Sequence, residues 1–80
     1  MEFLTRIGCH LCEDALPTAQ RVATLTRSPL HIIEIDSDDE LVKEFGLRIP
    51  VVRAGDGTVL AEGIIQFRTL LKAAIRRRLG

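Results

Sequence analysis

The sequence carries no net charge, with eleven basic residues balancing eleven acidic ones. No global field therefore steers the chain toward nucleic acid or an anionic membrane surface. No apolar run approaches the ~20 residues that a membrane-spanning helix needs. The N-terminus, Met1-Glu2-Phe3-Leu4-Thr5-Arg6, lacks the basic-then-apolar layout of a secretory signal, so a cytoplasmic location is the expectation. Internal repeats, linkers and low-complexity stretches are also missing. With 80 residues, the whole chain (1-80) reads as a single domain, near the low end of what folds alone on a hydrophobic core. At 46% hydrophobic and 28% charged, its composition is that of an ordinary globular chain.

Cysteine is scarce too. There are two, Cys9 and Cys12, both inside Gly8-Cys9-His10-Leu11-Cys12. A bridge between them closes a tiny loop worth only about 2 kcal/mol in the chain-entropy model, against ~3 for a fifteen-residue loop. The pair is thus better explained by chemistry than by stability, and in the cytosol such chemistry is catalytic or metal-binding. A helix starting at or just after Cys9 would aim unpaired backbone N–H groups at its sulfur and favour thiolate over thiol. The gain matters, because at a reference pKa near 8.5 only roughly 3% of a thiol is ionised at neutral pH. Arg6 and a protonated His10 push the same way, whereas Glu13 and Asp14 push back. His10 reads equally as an exposed residue of a helix start. Two cysteines with His10 and His31 would fill the four ligands of a structural zinc site. His10, however, lies between the cysteines and cannot easily converge with them, so no mononuclear metal site is expected. A cluster shared between two chains stays open as an alternative.

The remaining pattern alternates strand and helix. Glu2 to Ile7 reads as a strand ending at Gly8. From about His10 to Arg27, the positions Leu11, Ala15, Leu16, Ala19, Val22, Ala23 and Thr26 fall at helical spacing. Pro17 should kink that helix and Ser28-Pro29 should stop it. Leu30 to Asp36 is a β-branched second strand, placed near a sheet edge because His31 and Glu34 break its alternation. Ser37-Asp38-Asp39-Glu40 reads as a capping box with the Ser37 hydroxyl at the cap. It opens a short helix, Glu40 to Phe45, with Gly46 in the C′ position. Ile49-Pro50-Val51-Val52 starts a third strand, Gly55-Asp56-Gly57 is a hairpin turn, and Thr58 to Ala61 forms a fourth strand. Phe67, Leu70, Leu71, Ala74 and Ile75 mark a last amphipathic helix, whose Arg76-Arg77-Arg78 complements the helix dipole as a solvated last turn. The order βαβαββα implies an α/β domain: a four-stranded mixed sheet with helices on both faces.

This arrangement resembles the thioredoxin fold over nearly the whole chain. Gly8-Cys9-His10-Leu11-Cys12-Glu13 closely resembles the active-site signature of small bacterial glutaredoxin-like proteins. Pro17 falls where thioredoxins carry the proline of their active-site helix. Glu44-Phe45-Gly46-Leu47-Arg48-Ile49-Pro50-Val51 is similar to the thioredoxin run that ends in a cis-proline. The resemblance implies that Cys9 attacks a substrate disulfide and that Cys12 resolves the mixed disulfide. It further implies that Pro50 is cis, packs near Cys9, and lets the backbone around Ile49 pair with an extended substrate. Arg48 would then lie near the substrate groove, where it could meet a carboxylate, although it also reads as a plain surface arginine.

The chain departs from the family at three points. His10-Leu11 stands where thioredoxins have Gly-Pro and many glutaredoxins Pro-Tyr. Gly63-Ile64-Ile65-Gln66 lacks the acidic residue with which glutaredoxins hold glutathione. Thr5 and Arg6 occupy the strand end where thioredoxins bury an acid. The expected protein is a monomeric thiol–disulfide oxidoreductase that needs no cofactor and takes a disulfide-containing protein or a small thiol as substrate. Its reductant would be a dithiol or glutathione, and glutathione binding does not carry over from the resemblance. The other reading is a non-catalytic thioredoxin-fold module that binds a partner, senses redox state or holds an iron–sulfur cluster between two chains.

Overall fold

The computed structural model describes residues 1–79, with side chains through Arg77. Strands β1 (Glu2–Thr5), β2 (His31–Glu34), β3 (Val51–Arg53) and β4 (Val59–Glu62) alternate with helices α1 (His10–Leu25), α2 (Asp39–Phe45) and α3 (Phe67–Leu79). The sheet order is β2-β1-β3-β4. β1 pairs β2 in parallel and β3 antiparallel, and β3 pairs β4 antiparallel. β2 is an edge strand, as His31 and Glu34 suggested. No described helix is long and apolar enough to cross a membrane.

Two adjacent residues of β1 tie the layers together. Side chains alternate across a strand, so Phe3 and Leu4 point to opposite faces. Phe3 is paired with Val52 and packs with Cys12, Ala15, Ala19 and Val22 of α1 and Leu70 and Ala74 of α3. Leu4 is paired with Val51 and packs with Ile35 and Phe45 on the other face. A slip of one residue would exchange the two sets, and burial of both faces fixes the register.

Several boundaries differ from the sequence expectation. β1 and β2 end at Thr5 and Glu34, because Ile7 turns out into solvent and Ile35–Ser37 form a tight helical turn. β3 begins at Val51 and β4 runs on to Glu62. The cap of α2 is Asp38, not Ser37. The Asp38 carboxylate accepts from the Glu40 and Leu41 N–H groups at 3.0 and 3.4 Å. Ser37 instead donates its hydroxyl to the Glu34 carbonyl at 2.9 Å, because the preceding turn brings that oxygen within reach. Gly46 is the C-cap residue of α2 and not its C′ residue, with right-handed backbone at φ −53.

α1 runs through Pro17, on an exposed face, where the missing N–H leaves the Glu13 carbonyl without its helical donor. The helix ends before Ser28-Pro29. Arg27 takes a left-handed φ of 53, its N–H bonds to Thr24 and that of Ser28 to Ala23. That is the Schellman arrangement, with arginine where glycine is usual. At the last helix, Arg77 pairs with Asp56 in the hairpin turn, while the Arg78 side chain lies outside the described residues.

Candidate active site

Sheet topology gathers the site at one end. β1 runs into the Cys9 turn, and the antiparallel partner of Leu4 is Val51, so Ile49-Pro50 enters β3 at that same end. Val51 is in turn paired with Glu62, which brings Gly63 to the same end. Three segments far apart in sequence thus meet where β1 gives way to α1. Gly8, with φ +84, makes the turn that β1 needs before Cys9, a backbone state that side chains rarely adopt.

Cys9 is the N-cap residue of α1, extended at φ −93 and ψ 106. Its Sγ accepts the Cys12 N–H at 3.1 Å, and its carbonyl accepts the Glu13 N–H at 3.0 Å. The sulfur therefore occupies the place that a serine or aspartate oxygen takes at other helix starts, facing the positive end of the helix dipole. Cys9 and Cys12 are joined as a disulfide with Cα atoms 5.2 Å apart. The two sulfurs differ in access: Cys12 is 2% exposed inside the apolar cluster of α1 and α3, whereas Cys9 is only partly buried.

The Ile49–Pro50 peptide bond is cis, and Pro50 is fully buried. Ile49 packs against the cluster that contains Cys12. Its N–H donates to the Phe45 carbonyl at 3.1 Å, and among the described residues its own carbonyl has no backbone donor. The Pro50 carbonyl accepts the Gly63 N–H at 2.9 Å, which ties the turn to the end of β4.

Arg6 and Arg48, both singled out in the sequence, each pair with a carboxylate of this chain. Arg6 places Nε and Nη2 each 2.8 Å from Asp36 Oδ1, across the ends of β1 and β2. Arg48 makes the same fork with Glu62 Oε2, both contacts at 2.8 Å, and lies 4.9 Å over the Phe45 ring. The carboxylate that Arg48 meets is thus the chain's own. The His10 side chain is 95% exposed, with Glu13 Oε2 at 3.8 Å from Nδ1. His31 starts β2 opposite Glu2, at the far end of the sheet from Cys9. No group of three or more His, Cys, Asp or Glu gathers to hold a metal among the described residues.

Two features lay beyond sequence reasoning. One is the Arg48–Glu62 clasp. The other is a depression in which Leu11 and Asp14 face Gly63, Ile64 and Ile65. Positive φ at Gly63 (+72) is the local sign that the chain turns sharply there, and glycine between β4 and Ile64 was the available signal.

Comparison with known proteins agrees with this geometry. The family model of the glutaredoxin-like domain matches residues 1–79. The chain is similar to the X-ray structure of Northeast Structural Genomics target protein XcR50 from X. campestris, with TM-score 0.67 and 26% identity over 89% of each chain. No curated protein matches it. The mixed four-stranded sheet with three helices has the thioredoxin-like arrangement.

Proposed function

The chain belongs to the glutaredoxin-like domain family, and from that premise we propose that it is a thiol–disulfide oxidoreductase with Cys9 as nucleophile and Cys12 as resolving thiol. The observation that carries this reading is the position of Cys9 at the start of α1, with the Cys12 N–H 3.1 Å from its sulfur. A backbone donor and a helix dipole aimed at one sulfur stabilise its thiolate, the form that attacks. The burial of Cys12 supports the division of roles, since a bulky disulfide meets Cys9 first.

In the reduced protein the Cys9 thiolate attacks one sulfur of the substrate disulfide. That S–S bond breaks, a Cys9–substrate disulfide forms, and the second substrate sulfur leaves as a thiolate that takes up a proton. Cys12 then attacks Cys9 Sγ, the internal disulfide forms, and the remaining substrate sulfur leaves with the proton that Cys12 gives up. Two electrons and two protons pass to the substrate, and a dithiol or glutathione returns them to the pair. The Ile49 carbonyl, without a backbone donor among the described residues, offers one acceptor to an extended substrate chain, and the Ile49 side chain packs against the cluster that contains Cys12. The reading needs no bound cofactor and assigns the protein to the cytoplasm as a monomer, where the thiol pool keeps the pair reduced.

Single-cysteine variants test it. Cys9→Ser abolishes reduction of a small disulfide, and Cys12→Ser accumulates a mixed disulfide visible by mass spectrometry. Full turnover in both variants would refute the proposal. Visible absorbance in freshly purified protein would point to an iron–sulfur cluster in its place.

A further inference from the structure

Leu11, Asp14 and Ala15 of α1 face Gly63, Ile64 and Ile65 across a depression of about 180 Å³. It adjoins the disulfide ring, to which Leu11 belongs, and the Ile49–Pro50 turn, to which Gly63 is hydrogen-bonded. Its walls are apolar yet open, with Leu11 46% and Ile64 78% exposed. Covering such side chains is favourable, and their clustering beside a reactive sulfur marks a contact surface. Its one charged group is Asp14, whose carboxylate takes part in none of the ion pairs among the described residues. Among the described residues, the adjacent Glu13 meets only the exposed His10.

We infer that this depression selects the substrate, an extended protein segment whose cysteine is neighboured by a large apolar side chain and a lysine or arginine. The inference rests on the redox reading above. Alternate side chains of an extended segment share a face. With the substrate cysteine joined to Cys9, the residue next but one reaches the walls formed by Leu11, Ile64 and Ile65. A basic residue next but one beyond it lies on the same face and meets the Asp14 carboxylate, whereas an acidic one there meets Asp14 and Glu13 as like charges. The electron transfer is the one written above. What the depression adds is a choice among disulfides.

The test uses short peptides in which leucine stands next but one to cysteine and lysine or glutamate stands next but one beyond the leucine, each as its symmetric disulfide. Pre-reduced protein is mixed with each peptide, and the single-turnover rate is normalised to the peptide's rate with dithiothreitol. The lysine peptide is expected to react about three- to five-fold faster at low salt, a preference of the size exposed ion pairs support. High salt shrinks the ratio toward unity. Asp14→Asn lowers the ratio and Asp14→Lys inverts it. Any effect of these variants on Cys9 itself reaches both peptides equally and cancels. Serine in place of the leucine slows the lysine peptide about five-fold, as loss of partly buried apolar area requires. A ratio near unity in the native protein, the same preference in Asp14→Lys, or indifference to the leucine overturns the inference. If neither peptide nor β-hydroxyethyl disulfide oxidises the reduced protein, the redox reading itself is refuted and the inference falls with it.

Discussion

Replacing Phe45 tests how the smaller of the two cores holds the Ile49–Pro50 turn. Phe45 is 3% exposed and shares its cluster with Leu4, Ile35 and Val51, each fully buried. Its carbonyl receives the N–H groups of Arg48 and Ile49 at 2.8 and 3.1 Å, so the ring anchors the chain just before Pro50. The ring also lies 4.9 Å from the Arg48 guanidinium and 5.6 Å from that of Arg53. Phe45→Leu keeps the backbone bonds and most of the volume, at a cost of roughly 1–1.5 kcal/mol for imperfect repacking. Two lost cation–π contacts add about 0.5 kcal/mol each, the low end, because both arginines keep their carboxylates Glu62 and Glu2. The sum is about 2 kcal/mol, out of the roughly 4–12 available to a domain of this size. Phe45→Ala leaves a cavity as well, and about 3–5 kcal/mol is expected. Urea unfolding of the oxidised protein measures both variants, and a thermal scan should show Phe45→Leu melting about 8–15 °C lower. Single-turnover reduction of β-hydroxyethyl disulfide by Phe45→Leu, kept below its transition, then reports whether the turn has loosened. A Phe45→Ala protein within about 1 kcal/mol of the parent would refute the claim that this face is a core.

Asp38→Ala should cost about 1 kcal/mol of unfolding free energy, since it orphans two N–H groups at the start of α2. Ser37→Ala, which removes only an exposed bond to the Glu34 carbonyl, should stay within about 0.5 kcal/mol in the same urea titration. Arg27→Gly relieves a side chain at φ 53. The relief of ~1–2 kcal/mol is offset by ~0.5–1 of extra freedom in the unfolded chain, so the unfolding free energy from a urea titration should rise by up to about 1.5 kcal/mol. Gly46→Ala should destabilise the protein although its backbone is ordinary, because an added Cβ would lie 2.6 Å from the Val42 carbonyl oxygen. An unchanged urea midpoint would show that α2 can shift to make room.

The elements were legible wherever neighbours in sequence decide them. Helical spacing from Leu11 to Ala23, glycine at position 8 and the hairpin at Gly55-Asp56-Gly57 each act through bonds a few residues long, and all three are found in place. The cap of α2 is not decided by its sequence, because Ser37 and Asp38 both suit it. The contest was decided by the Ile35–Ser37 turn, which spends the Ser37 hydroxyl on Glu34. The charge pairs were not legible at all. Arg6–Asp36, Arg48–Glu62 and Arg77–Asp56 join residues brought together only by strand pairing and helix packing. Arg48 illustrates this, since the sequence reads it as a substrate-groove residue or a plain surface arginine, and neither reading names Glu62 of the neighbouring strand, which it meets.

The amino-acid sequence alone determined the cysteine pair. Two cysteines three residues apart are held close by the covalent chain itself, and a helix beginning between them turns its first N–H groups toward Cys9 wherever the domain folds. Only the tertiary structure decided what surrounds them. Register across β1, β3 and β4 carries Ile49-Pro50 and Gly63–Ile65 to the same end as Cys9, and burial of Phe3 on one face and Leu4 on the other holds that register. Reactivity is a local property of backbone and sulfur. The surroundings of the pair depend on contacts between segments far apart in the chain, and those exist only once both cores have closed.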